Sequence, residues 1–115
     1  MSLLLQSVPL NTDGTGAVVR DARFAPGRLH AIRIELGTLD TPDITLTDEP
    51  IGDTILALTG VAADVTKYPT VLGQGSNGVN IAGAAVAYPV LGRVHVVVAG
   101  GGANKTGRLV LFVER

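Results

Sequence analysis

Apolar and polar residues alternate with a period of two through the middle of the chain. Ile32, Ile34 and Leu36 fall on one side of an extended backbone, with Arg33 and Glu35 on the other; Ile44 and Leu46 stand against Thr45 and Thr47 in the same way. Such alternation marks a strand with one face in a core and one in water. The C-terminal part differs: Val94, Val96 and Val98 face one way, Val97 and Ala99 the other, and Leu109 to Val113 is apolar on both sides. A strand apolar on both faces lies centrally in a sheet or covers a partner. Fifteen glycines and six prolines punctuate these runs, the pattern of short strands joined by turns. The spacing predicts strands at 3–10, 16–24, 28–37, 43–48, 53–59, 65–72, 84–90, 92–99 and 107–114. Asp13-Gly14, Thr38 to Pro42 and Glu49 to Gly52 read as turns, because these residue types adopt turn geometry readily. Four glycines between Gly73 and Gly83 predict a longer, mobile loop. No window carries an amphipathic helix; Ile81 to Ala87 is too short and glycine-flanked to form one. The expected fold is all-β, an antiparallel β-sandwich or flattened barrel of about eight strands.

Gly27-Arg28-Leu29-His30 is echoed by Gly92-Arg93-Val94-His95. The echo reads as two similar hairpins, one in each sheet. Residues 1–115 make a single β domain, in which 1–10 is a first strand or an arm. Leu3, Leu4 and Leu5 have no basic flank before them and no small-residue cleavage site after them, so no signal peptide is expected. No stretch reaches the roughly 18 apolar residues of a membrane span.

Charge narrows the partners. Nine basic and ten acidic residues give a net charge of −1, which offers no electrostatic footprint for nucleic acid or an anionic membrane. The absence of cysteine excludes disulfides, a thiol nucleophile and a cysteine zinc site. With 46% hydrophobic and 17% charged residues, the chain is too apolar for disorder.

The candidate chemistry is thin. Gly73-Gln74-Gly75-Ser76-Asn77-Gly78 matches the dinucleotide fingerprint, but no helix follows and Val97, Val98 and Ala99 stand where its acidic residue belongs. Gly100 to Thr106 fails as a phosphate loop, since Asn104 precedes Lys105 where glycine is required; a hairpin turn is expected instead. His30 and His95 lack further histidine or cysteine ligands. Asp40, Asp43, Asp48 and Asp53 lack the order of a calcium loop and suit turns. Ser2, Ser7 and Ser76 lie in no nucleophile elbow, and nothing pairs Glu35, Glu49 or Glu114 in a cleft. Asn104-Lys105-Thr106 has the spacing of a glycosylation acceptor but no secretory context. No catalytic, cofactor or metal residue is expected, and the protein is not read as an enzyme.

From Leu29 to Glu114 the order of segments resembles small structural virion proteins of tailed bacteriophages, of the head or decoration type. The resemblance is carried by Gly37-Thr38-Leu39-Asp40 before a threonine-rich strand, by Asp53 to Thr59 leading into Val61-Ala62-Ala63-Asp64 and Tyr68-Pro69, by Tyr88 to Val94, and by Gly100 to Gly107 turning into the last strand. It implies a capsid decoration or cement protein that bridges capsid subunits, made in the host cytoplasm and carried on the capsid surface. Its partners would be the major capsid protein or other virion proteins, with homo-oligomers on the particle. The contact candidates are Leu3, Leu4 and Leu5 of the arm, Arg20, Arg23 and Arg28 facing acidic capsid surface, and Gly75 and Asn77 of the glycine loop. A neck or tail component and a carbohydrate- or receptor-binding sandwich are the alternatives. The latter would need exposed aromatic platforms, and Phe24, Tyr68, Tyr88 and Phe112, the whole aromatic inventory, are expected mostly to fill the core or anchor loops.

Overall fold

The computed structural model of the protein describes residues 3–23, 27–49, 52–74, 80–90 and 92–114, with backbone alone for 71–74 and 80–86. Among them the chain forms ten β-strands and no helix: β1 (Leu3–Asn11), β2 (Val18–Arg23), β3 (Gly27–Glu35), β4 (Asp43–Glu49), β5 (Asp53–Leu58), β6 (Val65–Lys67), β7 (Thr70–Gln74), β8 (Asn80–Val90), β9 (Arg93–Ala99) and β10 (Thr106–Glu114). One sheet runs β1-β10-β3-β8-β7, with β6 also on β3; the other runs β2-β9-β4-β5. All pairings are antiparallel, and the two sheets pack as a sandwich.

The alternation explains the core. Leu10, Leu29, Ile32, Ile34, Leu109 and Leu111 from one sheet meet Ile44, Leu46, Val94, Val96 and Val98 from the other, each fully buried. Strands β9 and β10 are each central in their sheet, β9 between β2 and β4 and β10 between β1 and β3. Their second faces look outward, with Val97 at 36% exposure and Val110 covered to 8%. Truncating one of these residues, as in Leu111→Ala, removes about 2–5 kcal/mol of stability.

Four expectations need correction. The echoed segments do lie one in each sheet, at the starts of β3 and β9, but neither opens a hairpin. Residues 36–42 carry the chain from β3 to β4 in the opposite sheet, and 100–105 carry it from β9 to β10 in the same manner. The Gly100 to Thr106 segment is therefore an arch between layers rather than a hairpin turn. The expected strand 65–72 is split at Tyr68-Pro69 into β6 and β7, since proline has no N–H to donate to a ladder. In the expected loop from Gly73 to Gly83 the described residues are strand: Gly73 and Gln74 belong to β7 and Asn80 to Gly83 to β8, while residues 75–79, Gly75 and Asn77 among them, lie outside the described residues. Residues 1–10 had two readings, and Leu3 to Leu10 belong to a first strand, paired with β10 along its length.

The arches are bound tightly to one another. Thr12, buried at 7% exposure, donates from its hydroxyl to the Gly102 carbonyl at 2.6 Å and accepts from the Lys105 N–H at 2.8 Å. The Asp40 N–H reaches the Gly101 carbonyl, the Gly101 N–H the Gly16 carbonyl, and the Asn104 N–H the Asp13 carbonyl, each at 3.0 Å. Gly37 has a φ of 56°, and a Cβ there would stand 2.5 Å from the Thr106 carbonyl oxygen. Glycine is needed for both reasons.

The far edge of β3 is built differently. β6 runs along it from one end, pairing Val65 to Ile34 and Lys67 to Ile32; β8 runs along it from the other, pairing Val90 to Gly27 and Tyr88 to Leu29. The two meet near His30, where the Tyr88 N–H donates to the Pro69 carbonyl at 3.2 Å. There both chains turn away from β3 and continue as a two-stranded ribbon, Thr70 opposite Ala87 and Val71 opposite Val86. The molecule is elongated, 49 × 26 × 24 Å.

Candidate functional site

The outer face of the six-stranded sheet carries the exposed apolar residues Leu3, Leu5 and Tyr68, while the exposed Val19 lies with Val97 on the other sheet. Alternation sends Val8 and Leu10 of β1 inward, with Leu4 against the core, and leaves Leu3 and Leu5 outside at 52% and 58% exposure. Leu5, Phe112 and Ala31 form one cross-strand row. Phe112 and Ala31 in turn line a shallow hollow of about 220 Å³ with His30, Arg33, Thr66 and Tyr68. Tyr68, placed by the break between β6 and β7, is 65% exposed and meets the His30 ring edge-to-face at 6.3 Å. Arg33 donates to the Thr66 hydroxyl at 3.2 Å and stands 3.8 Å from the Asp64 carboxylate. Arg108 pairs with Glu35 at 2.7 Å on the same sheet. An aromatic and aliphatic floor bordered by ion pairs has the make-up of a binding surface.

The outer edge of β1, which pairs with no strand among the described residues, adjoins this floor. Arg20 of β2 donates from Nε to the Pro9 carbonyl at 3.4 Å, so that carbonyl points away from β10. In an antiparallel ladder the backbone groups alternate sides, which directs those of Leu3, Leu5 and Ser7 outward as well. Proline sits where its missing N–H is lost to no ladder.

The four-stranded sheet presents ordered rows on its outer face. Val19, Val97, Thr45 and Ala57 form one, Asp21, His95 and Thr47 the next, and Arg23, Arg93 and Glu49 a third. His95 Nδ1 lies 2.7 Å from Asp21 Oδ1, and the hydrogen bond holds the Asp21 carboxyl below the usual carboxylate range. His30 and His95 thus stand on opposite sheets, each beside one carboxylate, Glu114 at 3.9 Å for His30. The aspartates serve separate places: Asp43 accepts from the Gly60 N–H at 2.8 Å, Asp40 belongs to the arch, and Asp48 is buried at 3% exposure. The phenol of Tyr88 is pushed above its usual range by burial first and then by the Asp48 and Asp53 charges. Among the described residues no group of three or more His, Cys, Asp or Glu is placed to hold a metal ion.

The sequence-derived contact residues are thereby distributed. Leu3 and Leu5 reach the surface, while Leu4 packs on the core. Arg20 is engaged with Pro9, Arg23 lies opposite Arg93 on the four-stranded sheet, and Arg28 lies opposite Glu114 on the six-stranded one. The three arginines do not share a surface. Tyr68, Phe112, His30, Arg33 and Thr66 were not singled out as contacts, since Tyr68 and Phe112 read as core or loop anchors. The signal for Tyr68 was the following Pro69, which ends the ladder and frees the tyrosine from it. No protein-family model matches the chain, and no curated protein matches it.

Proposed function

We propose that the protein is a structural protein of a tailed-bacteriophage virion, a capsid decoration or cement protein that bridges capsid subunits on the head surface. The observation that carries this reading is the pair Leu3 and Leu5, exposed on a strand with an open edge and adjoining the Phe112–Tyr68 floor. A capsid segment that adds to the Leu3–Ser7 edge gains backbone hydrogen bonds and covers both leucines, the logic of β-augmentation. Opening the shell would then also break these contacts, so bound protein stabilises the closed particle by mass action. The segment order from Leu29 to Glu114 supports the same assignment.

The test is addition of the purified protein to phage particles that lack it. Wild type saturates them and raises their resistance to heat and low salt. Leu5→Asp, at a position 58% exposed, keeps the fold and binds at least about tenfold more weakly, since burying one leucine contributes about 1.5–3 kcal/mol. Absence of the protein from purified particles overturns the virion reading; particles equally robust without it overturn the cement role and leave a neck or tail position.

Tyr68 favours a second reading, a carbohydrate- or receptor-binding module. An exposed ring with His30, Arg33 and Thr66 around it offers a stacking face and polar partners for a sugar. Glycan-array binding abolished by Tyr68→Ala supports that module; no binding by wild type removes it.

A further inference from the structure

We infer that the β7–β8 ribbon is a self-association element, through which two copies of this chain pair ribbon to ribbon about a two-fold axis. Between Lys67 and Arg93 the chain has no Asp, Glu, Lys, Arg or His, and this run contains both strands of the ribbon. Beyond the fork near His30, β7 and β8 pair only with each other among the described residues, so the ribbon has an open edge on each side. A two-stranded ribbon is marginally stable in water by itself; a third and fourth strand change that.

Two other places show what a defended edge looks like here. β2 carries Arg20, Asp21 and Arg23 in six residues, and β1, open along Leu3–Ser7, is closed at Pro9, whose carbonyl Arg20 engages. Charge and proline on an edge keep other strands away. The ribbon has neither along Thr70–Gln74 or Asn80–Ala87; its one irregularity is the register shift between Leu72 and Gln74. A charge-free edge calls for a charge-free partner, and a second copy supplies the same edge by symmetry. Two-fold pairing is isologous and closes on itself, and it sets the new strands antiparallel. The inference is independent of the virion reading, because it concerns the free protein.

The experiment is sedimentation of the full chain, with Ala84→Lys, Ala85→Lys and, as a control on the opposite sheet, Val19→Lys. Ala84 and Ala85 are neighbours on β8, so the two variants sample both phases of a strand's period of two. Wild type and Val19→Lys are expected at twice the chain mass, and at least one ribbon variant at the single mass with dimerisation weakened about tenfold or more. Circular dichroism and melting confirm that each variant folds. A second measurement uses the cysteine-free background: under mild oxidation Ala84→Cys or Ala85→Cys should cross-link to a dimer and Val19→Cys should not. A single-chain mass for wild type at millimolar concentration overturns the inference. So does a mass above two chains, a dimer untouched by both ribbon charges, or a cross-link through Val19→Cys alone.

Discussion

At the arch end of the sandwich, residues 100–105 pass from one sheet to the other, tied by Thr12, Asp13, Gly16 and Asp40. At the fork, residues 70–74 and 80–87 leave the sandwich with only each other as strand partners among the described residues. Both stretches are glycine-rich and nearly free of charge, yet one is a closed corner and the other an open ribbon. The difference lies in what approaches them. The arch receives a buried threonine hydroxyl and backbone groups from two segments, 12–16 and 38–40; its Gly101 serves close packing, while Gly100 and Gly102 take positive φ. The ribbon is flanked by two prolines, Pro69 and Pro89, where the strands leave the edge of β3. Similar composition therefore has opposite energetic meaning: the first region holds the monomer together, the second leaves edges for association.

The largest effect that separates the two belongs to Gly37→Ala. It forces a side chain into φ of 56° and against the Thr106 carbonyl, and should cost about 2–3 kcal/mol, read as a fall in the urea midpoint at unchanged slope. Ala85→Lys in the ribbon, measured as a monomer, should change the same midpoint by less than about 0.5 kcal/mol. Equal losses would show that the ribbon is part of the monomer's cooperative unit and would dissolve the distinction. Next comes Thr12→Val, which keeps the volume but removes the hydroxyl that serves Gly102 and Lys105. Leaving these backbone groups without that partner should cost about 1–3 kcal/mol. A neutral Thr12→Val would mean that the arches are held by their backbone bonds alone.

How far the sequence could be read follows the same division. Period-two alternation at Ile32–Leu36 and Ile44–Thr47 located β3 and β4, because half-burial writes itself into local sequence. The both-face apolar runs located the central strands β9 and β10. The arches were misread as hairpins because a turn between neighbours and a turn between layers use the same glycine and asparagine signals; sheet membership is decided by distant strands such as β2 and β10. The base of the ribbon, 70–72 and 84–87, reads as strand. Gly73, Gln74 and Asn80 to Gly83 read as loop because Gly73 and Gly83 break the alternation that reveals a strand, and pairing across β7 and β8 overrode their poor strand propensity. On the surface, Leu3 and Leu5 were legible as apolar residues near the chain start. The Tyr68 hollow was not, since it depends on β6 and β10 flanking β3, a juxtaposition of residues 66, 30 and 112 that no local window contains.

The smallest expected effect is electrostatic and again belongs to the arch end. Asp13 Oδ1 accepts from the Thr15 hydroxyl at 2.6 Å, the Thr15 N–H at 2.8 Å and the Ala17 N–H at 3.1 Å. The Thr15 hydroxyl, then the Ala17 and Thr15 N–H groups, hold its carboxyl below the ordinary value of 3.8. The Asp13 carbonyl meanwhile receives the Asn104 N–H, which links this turn to the arch. A carboxyl whose folded value is depressed adds stability above its unfolded value and loses it as pH falls through the folded one. Wild-type stability should therefore decline as pH drops below about 4, while Asp13→Asn, which keeps an acceptor oxygen and loses the charge, should decline less steeply. Asp21, lowered by its hydrogen bond with His95, preserves part of the slope in that variant, and Asp13→Asn with Asp21→Asn should flatten it further. Urea midpoints measured between about pH 5 and 2 read the difference. Parallel curves for wild type and Asp13→Asn would show that the turn is held by shape rather than by the carboxylate, and the arch would then owe its strength to Thr12 and the backbone.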